Sequence, residues 1–428
     1  MRHFLRLSVF LWLLLRLPAV AQQGCRSVEY KQDLLRKDPA LATAFTEIES
    51  FTRRQQEHAA VMTTGVTGTA QSGKSINIIT IPVVVHIIYN NASQNISDAQ
   101  IQSQIAVLNR DYGKQNPDTS KIPSYYSDLA ANCGIRFALA NVDTNGKTTT
   151  GIVRRKTNQQ SFSYDDAVKF TTRGGDDGWD RDRYLNIWVT ALTSGILGYS
   201  SMPGCPKPND GVVINYTAFG TTGTAAAPFN LGRTTTHEIG HWLNLIHVWG
   251  DANCGDDDVQ DTPQQSAATY GNPSGMIFSC GNTPYGNLYM DYMDFTDDIG
   301  MHLFTYGQRD RIRTLFAPGG FRYALLSSNG LAPGTIITGS SPDEPSGGSG
   351  SAAISLYPNP VKGPVWVISP DASHIGAVLE IYNQVGQKVM TSRITGTSYQ
   401  MDLSSLPGGI YFIHVNGNGK NSLKLVKM

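Results

Sequence analysis

The sequence predicts a mixed α/β domain followed by a small all-β domain. A β-branched apolar run over residues 78–89 precedes a helix with apolar residues on one face, and further strand-like runs and a second helix follow. After a stretch rich in Pro, Gly and Ser, five short strand-like runs recur at regular spacing. The first pattern indicates an α/β core, with a more irregular portion after it. The second is typical of a β-sandwich.

Composition excludes several classes of protein. The 428 residues suffice to bury a core without disulfide staples. Because 34 basic residues balance 34 acidic ones, the charge favours neither nucleic acid nor an acidic membrane as a partner. Five cysteines are too few for a disulfide scaffold, and their odd number leaves at least one with another role. No stretch is long and apolar enough for a transmembrane helix, and we expect a monomer.

The N-terminus predicts export. Residues 1–21 combine two early arginines, a short apolar run and the small residues Ala19 and Ala21 around Val20. A membrane helix is the alternative, but the run is too short, so we expect a cleaved signal peptide and a secreted protein. A polar, partly helical stretch then predicts a pro-segment. Arg53, Arg54 and a Thr-, Gly- and Ser-rich stretch over residues 63–75 predict a flexible, protease-accessible connector at its end. The predicted parts are a signal peptide (1–21), a pro-segment (22–75), an α/β domain (76–330), a linker (331–352) and a β-sandwich (353–428).

One helix carries the residues for metal chemistry. His237 and His241 are four residues apart, so on a helix both imidazoles face the same ion. Glu238 can serve as a general base beside them. His247 can be a third ligand if the chain turns sharply after Leu243, and no Glu between positions 238 and 344 competes for that role. The alternative is a chance pairing of histidines on a buried helix, and the third His argues for zinc.

The segment HEIGHWLNLIH resembles the extended zinc motif of metzincins. The motifs around it, among them IPVVVHIIYN, DGVVIN, CGDDDVQDTP and DYMDFTDDIGMHLFTYGQRDRIR, are similar in order to those of the pappalysin family across residues 78–317. The resemblance implies a metzincin-like zincin fold with a mixed twisted sheet and an active-site helix. It also implies a zinc endopeptidase that takes polypeptide substrates as an added strand near residues 196–200. A catalytically weak metzincin-fold protein for binding or adhesion is the alternative, against which the intact His and Glu set argues.

The C-terminal part has a resemblance of its own. YPNPVKGPVWV, EIYNQVGQKV and LSSLPGGIYFIHV, with the closing SLKLVKM, look like the sorting domain of type IX secretion in Bacteroidetes-type bacteria. This implies the type IX machinery as a partner, and an extracellular product that is either free or attached to the cell surface. A sandwich that binds carbohydrate or protein is the alternative.

The family pattern carries over with departures. Asn244 stands where the family has Gly, and Asn tolerates the left-handed backbone of that turn second best. Met293 corresponds to the methionine below the metal, with Met290 as the alternative. Phe295 stands where the family has Tyr, so this position offers no hydroxyl; Tyr292 and Tyr289 are the alternatives for that role.

Two further roles follow from the resemblance. Asp298 corresponds to the base of the pocket for the residue after the scissile bond, which implies cleavage before Arg or Lys; a surface carboxylate is the alternative. Asp257 and Thr262, in an acidic loop, are the calcium ligands that the resemblance favours. A solvated acidic turn is the alternative there.

The cysteines complete the expectations. Cys254 and Cys280 bracket the acidic loop and are expected to be bridged, whereas a second pair between Cys133 and Cys205 is left open. Cys25 remains, in the pro-segment. A thiolate binds zinc well, and some pappalysin relatives silence their precursors with such a cysteine. Cys25 is therefore the predicted zinc ligand of a zymogen; a spare thiol, or one bridged to another chain, is the alternative.

Overall fold

The structure, a computed structural model, describes residues 24–64, 77–193 and 195–332, together with residues 355–357, 361, 364–368, 376–384, 386–395, 398–416 and 422–427. The predicted signal peptide and nearly all of the predicted linker lie outside these ranges. The domain boundaries stay predictions. Within the described part of the chain, no helix is both long and apolar enough to cross a membrane.

A seven-stranded sheet forms the centre of the N-terminal part, in the order β1-β6-β7-β5-β2-β3, with β4 also paired to β2. β6 and β7 are antiparallel, and every other pair in this sheet is parallel. The strands are β1 (Gly24–Cys25), β2 (Ile79–Tyr89), β3 (Ile135–Leu139), β4 (Ile152–Lys156), β5 (Leu185–Thr190), β6 (Ile196–Ser200) and β7 (Val212–Asn215). The sheet is therefore mixed, as the resemblance to metzincins implies.

Helices cover both faces of this sheet. They are α1 (Ser27–Lys37), α2 (Leu41–Thr64), α3 (Asp98–Tyr112), α4 (Ser124–Ser127), α5 (Arg233–Trp242) and α6 (Tyr306–Thr314). One face packs on α3 and α5, where Ile105 and Ile239 join Val85 of β2 in the main core. α3 begins where the Ser97 side chain accepts a hydrogen bond from the backbone of Gln100, as its sequence predicts. The other face carries a smaller cluster that includes Tyr30 of α1.

The described part of the predicted pro-segment, residues 24–64, is folded onto the rest of the chain. β1 extends the sheet beyond β6, α1 packs beside β6, and α2 packs on α6. α2 continues through Arg53 and Arg54 as far as Thr64. The sequence suggested that a flexible connector starts near those arginines, so this helical part corrects that expectation.

Two short strands near the site, β8 (Tyr270–Gly271) and β9 (Phe295–Thr296), pair in parallel. The C-terminal part then forms two antiparallel sheets, β10-β11-β14 and β13-β12-β15-β16. Their strands are β10 (Ser355–Tyr357), β11 (Val365–Ile368), β12 (Val378–Asn383), β13 (Lys388–Arg393), β14 (Ser398–Met401), β15 (Gly409–Asn416) and β16 (Ser422–Lys427). Val367 of one sheet and Ile381 and Ile413 of the other share one core, which fits the predicted all-β domain.

Candidate active site

α5 and the turn after it bring three histidines together. His237 and His241 lie on one face of α5, which ends at Trp242. Asn244 then adopts a left-handed backbone with φ of 71°, and the Leu245 N–H bonds to the Gly240 carbonyl at 2.9 Å. This reversal returns His247 to the helix. Asn therefore does at this turn what the family's Gly does.

The histidines and Cys25 form one cluster. The ligand atoms of Cys25, His237, His241 and His247 all lie within 4.8 Å of one another, and all four groups are buried. Nδ1 of His237 bonds to the Tyr292 carbonyl at 2.7 Å, and Nδ1 of His241 to the Leu245 carbonyl at 2.9 Å. Nδ1 of His247 bonds to the Asp251 carboxylate. These partners orient the rings, as partners of metal-bound imidazoles do.

The donor set fits a tetrahedral zinc ion. Burial lowers the pKa of His237 and of His247 to about 3, and burial and the neighbouring imidazoles lower that of His241 as well. All three imidazoles are therefore neutral, which is the form that binds metal. Nε2 of His237 is buried and has no hydrogen-bond partner among the described residues, so a metal ion would satisfy it.

Glu238 lies against the pro-segment. Its Oε2 accepts a hydrogen bond from the Ser27 hydroxyl at 2.7 Å and lies 3.5 Å from the Cys25 sulfur. Burial raises the pKa of Glu238 to about 8. A Cβ at position 198 would come within 2.9 Å of the Glu238 side chain, so only Gly198 lets β6 pass this close to α5.

β1 occupies the free edge of β6. The Gly24 N–H donates to the Gly195 carbonyl and the Arg26 N–H to the Gly198 carbonyl, both at 3.0 Å. Ser27 also accepts a hydrogen bond from the Ser200 N–H at 2.8 Å. The edge at which the sequence predicts substrate is thus taken by the chain's own pro-segment.

Met293 packs directly beneath α5. A Cβ at Gly240 would meet the Met293 sulfur at 2.3 Å, so Gly240 is what admits the methionine. Met290 belongs to a different cluster, with Tyr126 and Leu288. The structure therefore favours Met293 over Met290 for the position below the metal site.

Phe295 contributes a ring but no hydroxyl to the site. Its ring centroid lies 4.8 Å from that of His247 and 5.5 Å from that of His237. The Tyr292 hydroxyl accepts from Arg233, and the Tyr289 hydroxyl donates to the Gly275 carbonyl at 2.8 Å. Both hydroxyls are engaged elsewhere, so neither replaces the tyrosine that the family has at this position.

Asp298 lines the same cleft as the histidines. Asp298, Thr234 and Phe295 border this cleft together with Cys25 and His237. Oδ2 of Asp298 accepts the backbone N–H groups of Leu231 and Arg233, at 2.7 and 3.2 Å. Burial raises the pKa of Asp298 to about 7. The alternative of a surface carboxylate is wrong, because this residue is only 1% exposed.

Of the other four cysteines, two form a disulfide and two are free. Cys254 and Cys280 are joined by a disulfide, as expected. The second pair, Cys133 and Cys205, is not formed, because both thiols are free and buried in separate surroundings. Cys205 donates to the Asp210 carboxylate at 3.4 Å, whereas Cys133 belongs to the main core.

The acidic loop holds its own residues in place. The Thr262 hydroxyl and the Val259 N–H both donate to Oδ1 of Asp257, at 2.8 and 3.2 Å. Oδ2 of Asp257 is buried without a hydrogen-bond partner among the described residues, and burial raises the pKa of this carboxyl to about 7. Asp257 is therefore a buried acid and no solvated turn residue.

Sequence reasoning missed three contacts of the pro-segment. Ser27 on Glu238 is one of them. The second is the ion pair of Glu49, whose carboxylate binds both Nη atoms of Arg311 at 2.9 and 2.6 Å. Tyr30, which is buried beside β6, is the third. No periodicity or motif marks these residues, since each contact joins positions more than 100 residues apart.

Comparison with known proteins now identifies the family. Residues 171–317 match the peptidase family described as pregnancy-associated plasma protein-A, and residues 355–428 match a secretion system C-terminal sorting domain. An extracellular metalloprotease of Pyricularia oryzae is 32% identical over 253 residues, which cover 56% of this chain and 75% of the relative. One of Verticillium alfalfae is 30% identical over 55% of this chain and 76% of the relative.

Solved structures agree with these relatives. Mature mirolysin of Tannerella forsythia, in complex with a cleaved peptide, is 47% identical with a TM-score of 0.58, over 59% of this chain and 97% of that chain. A promirolysin mutant of the same organism is 41% identical with a TM-score of 0.64, over 71% of this chain and 97% of that chain. This chain therefore belongs to the pregnancy-associated plasma protein-A (pappalysin) family, as a secreted metalloprotease with a metzincin-like fold and a type IX sorting domain.

Proposed function

We propose that the protein is a zinc endopeptidase, made as a latent zymogen, that cleaves polypeptides before Arg or Lys. The observation that carries this proposal is the convergence of three neutral imidazoles and the Cys25 thiol within 4.8 Å. His237, His241 and His247 would hold the zinc ion. When bound, zinc polarises the substrate carbonyl as a Lewis acid and makes water easier to deprotonate.

Glu238 moves the proton in this proposal. Its carboxylate lies one residue beyond His237 on α5 and faces the cleft that Cys25 fills in the precursor. Once the pro-segment leaves, Glu238 takes a proton from the attacking water and delivers it to the leaving amine.

The contacts of the pro-segment support latency at three points. Cys25 contributes a sulfur to the ligand cluster, Ser27 hydrogen-bonds Glu238, and β1 takes the edge of β6. The pro-segment thus occupies the metal site, the general base and the edge of β6 at which substrate would bind, all at the same time. Removal of this one segment would free all three.

The preference for Arg or Lys rests on Asp298. Its carboxyl lies in the same cavity as His237, at the N-terminal end of α5. A carboxylate that is desolvated in this way binds a guanidinium strongly. Lys74 lies beyond the end of α2, outside the described residues, and would suit self-cleavage, whereas Arg53 and Arg54 lie within the helix.

The acidic loop would hold a structural calcium ion. Asp257 offers a buried oxygen that lacks a hydrogen-bond partner among the described residues, and Thr262 adjoins it. Calcium prefers such oxygen ligands. Added calcium should raise the melting temperature of the protein, and Asp257→Asn should abolish that rise.

Cys25→Ala tests latency and zinc chemistry together. The precursor should contain one zinc ion per chain and cut no casein, whereas the variant should cut casein or degrade itself during production. A zinc chelator should silence both the variant and the processed enzyme. If, in the presence of zinc, the variant precursor is as intact and as inactive on casein as the wild type, the Cys25 thiol does not keep the precursor inactive.

A further inference from the structure

We propose that the pocket that Tyr30 fills in the precursor becomes, in the mature protease, a substrate subsite for an aromatic side chain, above all tyrosine. This inference rests on the proposed function, because the pocket opens only when the pro-segment is removed. It concerns a different part of the molecule from the zinc ligands and from Asp298.

The pocket is built for an aromatic ring. Tyr30 projects from α1 and is only 2% exposed, with its ring centroid 5.1 Å from that of Tyr199 in β6. The other buried side chains of this cluster come from the protease domain and would stay when the pro-segment leaves. They are Ile88, Phe162, Val168, Trp188, Leu192, Ile196 and Val213.

The deep end of the pocket recognises a hydroxyl. The Tyr30 hydroxyl donates to Oδ2 of Asp166 at 2.6 Å, and the Asn209 amide donates to the same oxygen at 2.6 Å. Lys169 is fully buried, and its Nζ lies 2.9 Å from Oδ1 of Asp166 and 4.9 Å from the centroid of the Tyr30 ring. A ring that carries a hydroxyl thus meets a hydrogen-bond acceptor at its tip and a cation on its face.

The pocket should keep its shape when Tyr30 leaves. Lys169 also donates to the Asn209 carbonyl at 2.6 Å, so its charge stays paired with Asp166 and hydrogen-bonded. Trp188 is fixed by the bond from its ring N–H to the Asp176 carbonyl at 2.9 Å. A site whose charges are already paired needs no reorganisation to take up a new ring, which favours binding.

The pocket also lies where a substrate passes. Tyr199 follows Gly198, which pairs with Cys25, and precedes Ser200, whose N–H bonds to Ser27. A polypeptide bound to the same edge of β6 therefore runs beside the ring of Tyr199. Burying one aromatic side chain there removes most of its surface from water.

A peptide series tests the subsite without altering the enzyme. The processed enzyme from the full chain is given peptides with one Arg at the cleavage site and Tyr, Phe or Ala at each flanking position in turn. At one position we expect kcat/KM with Tyr to exceed that with Ala by about 10- to 100-fold, the value of burying a large side chain. Phe should fall about threefold to tenfold below Tyr, because it lacks the bond to Asp166.

Asp166→Asn is the matched enzyme variant. It should reduce the advantage of Tyr over Phe. Equal kcat/KM for Tyr, Phe and Ala at every position, in an enzyme that cuts the Ala peptides before Arg, would overturn the subsite and leave the proposed function standing. An enzyme that cuts none of the peptides would overturn both. If the variant does not fold, the peptide series still decides.

Discussion

In the proposed zymogen, Glu238 has a hydrogen-bond partner that it must lose before it can act as a base. Its carboxylate is bonded by the Ser27 hydroxyl, and the same oxygen lies near the Cys25 sulfur. Glu238→Ala should keep the zinc ion, because all three imidazoles remain, and should lower proteolysis by about 10²–10⁴-fold. Metal content and peptide hydrolysis of the processed enzyme measure the two effects. A residual rate above about one hundredth of wild type would contradict the role of base.

Asp298 should make cleavage before Arg depend on pH. Burial raises the pKa of this carboxyl to about 7, so it is charged above that pH and increasingly neutral below it. Since only the charged form pairs with a guanidinium, kcat/KM for an Arg peptide should rise between pH 6 and 8 relative to a Leu peptide. Asp298→Asn should flatten this ratio, whereas the neighbouring Asp297→Asn should keep it. A ratio that does not change with pH in the wild type would count against Asp298 as the pocket carboxylate.

At the scale of elements, an ion pair between Glu49 and Arg311 joins α2 to α6. The Glu49 carboxylate binds both Nη atoms of Arg311, whose Nε donates to the Asn244 carbonyl at 2.7 Å. This contact ties the pro-segment to the turn that returns His247. Glu49→Gln should leave Arg311, which is 1% exposed, without its counter-charge, at a cost of about 1–3 kcal/mol.

The consequence is a precursor that activates early. In a time course of casein cleavage, Glu49→Gln should shorten the delay before activity appears and lower the melting temperature of the precursor. Glu47→Gln changes an exposed carboxylate on the same helix and is the matched control. An unchanged delay in Glu49→Gln would mean that β1 and α1 alone keep the precursor closed.

Elements with a local signature were predictable from the sequence. α5, its histidines and the turn at Asn244 follow from a motif of eleven residues, and β2 follows from its β-branched run. β1 could not be foreseen, because a strand of two residues has no periodicity and forms only by pairing with β6. Arg53 and Arg54 were misjudged because charged residues also suit an exposed helix face, and packing of α2 on α6 decides in favour of helix.

At the scale of the whole molecule, the main core of the N-terminal part and the core of the C-terminal part share none of the described residues. The protease core and the C-terminal core are separate clusters, and the C-terminal residues match a sorting domain. Removing residues 353–428 should therefore block export but leave the protease fold intact. Cell fractionation should find the shortened chain inside the producing cell, and the chain should cut casein after processing. Its appearance outside the cell would show that the tail is not needed for export.

The short β1 strand makes latency sensitive to dilution. While the pro-segment belongs to the same chain, β1 meets β6 at the high effective concentration that a tether provides. After the connecting peptide is cut, the same contacts hold two separate molecules, among them the bonds of the Gly24 and Arg26 N–H groups to β6. The cleaved protein should then stay inactive at high protein concentration, because the pro-segment remains bound. It should become active on dilution, when the pro-segment dissociates. Activation would be complete only at a distance from the cell that releases it.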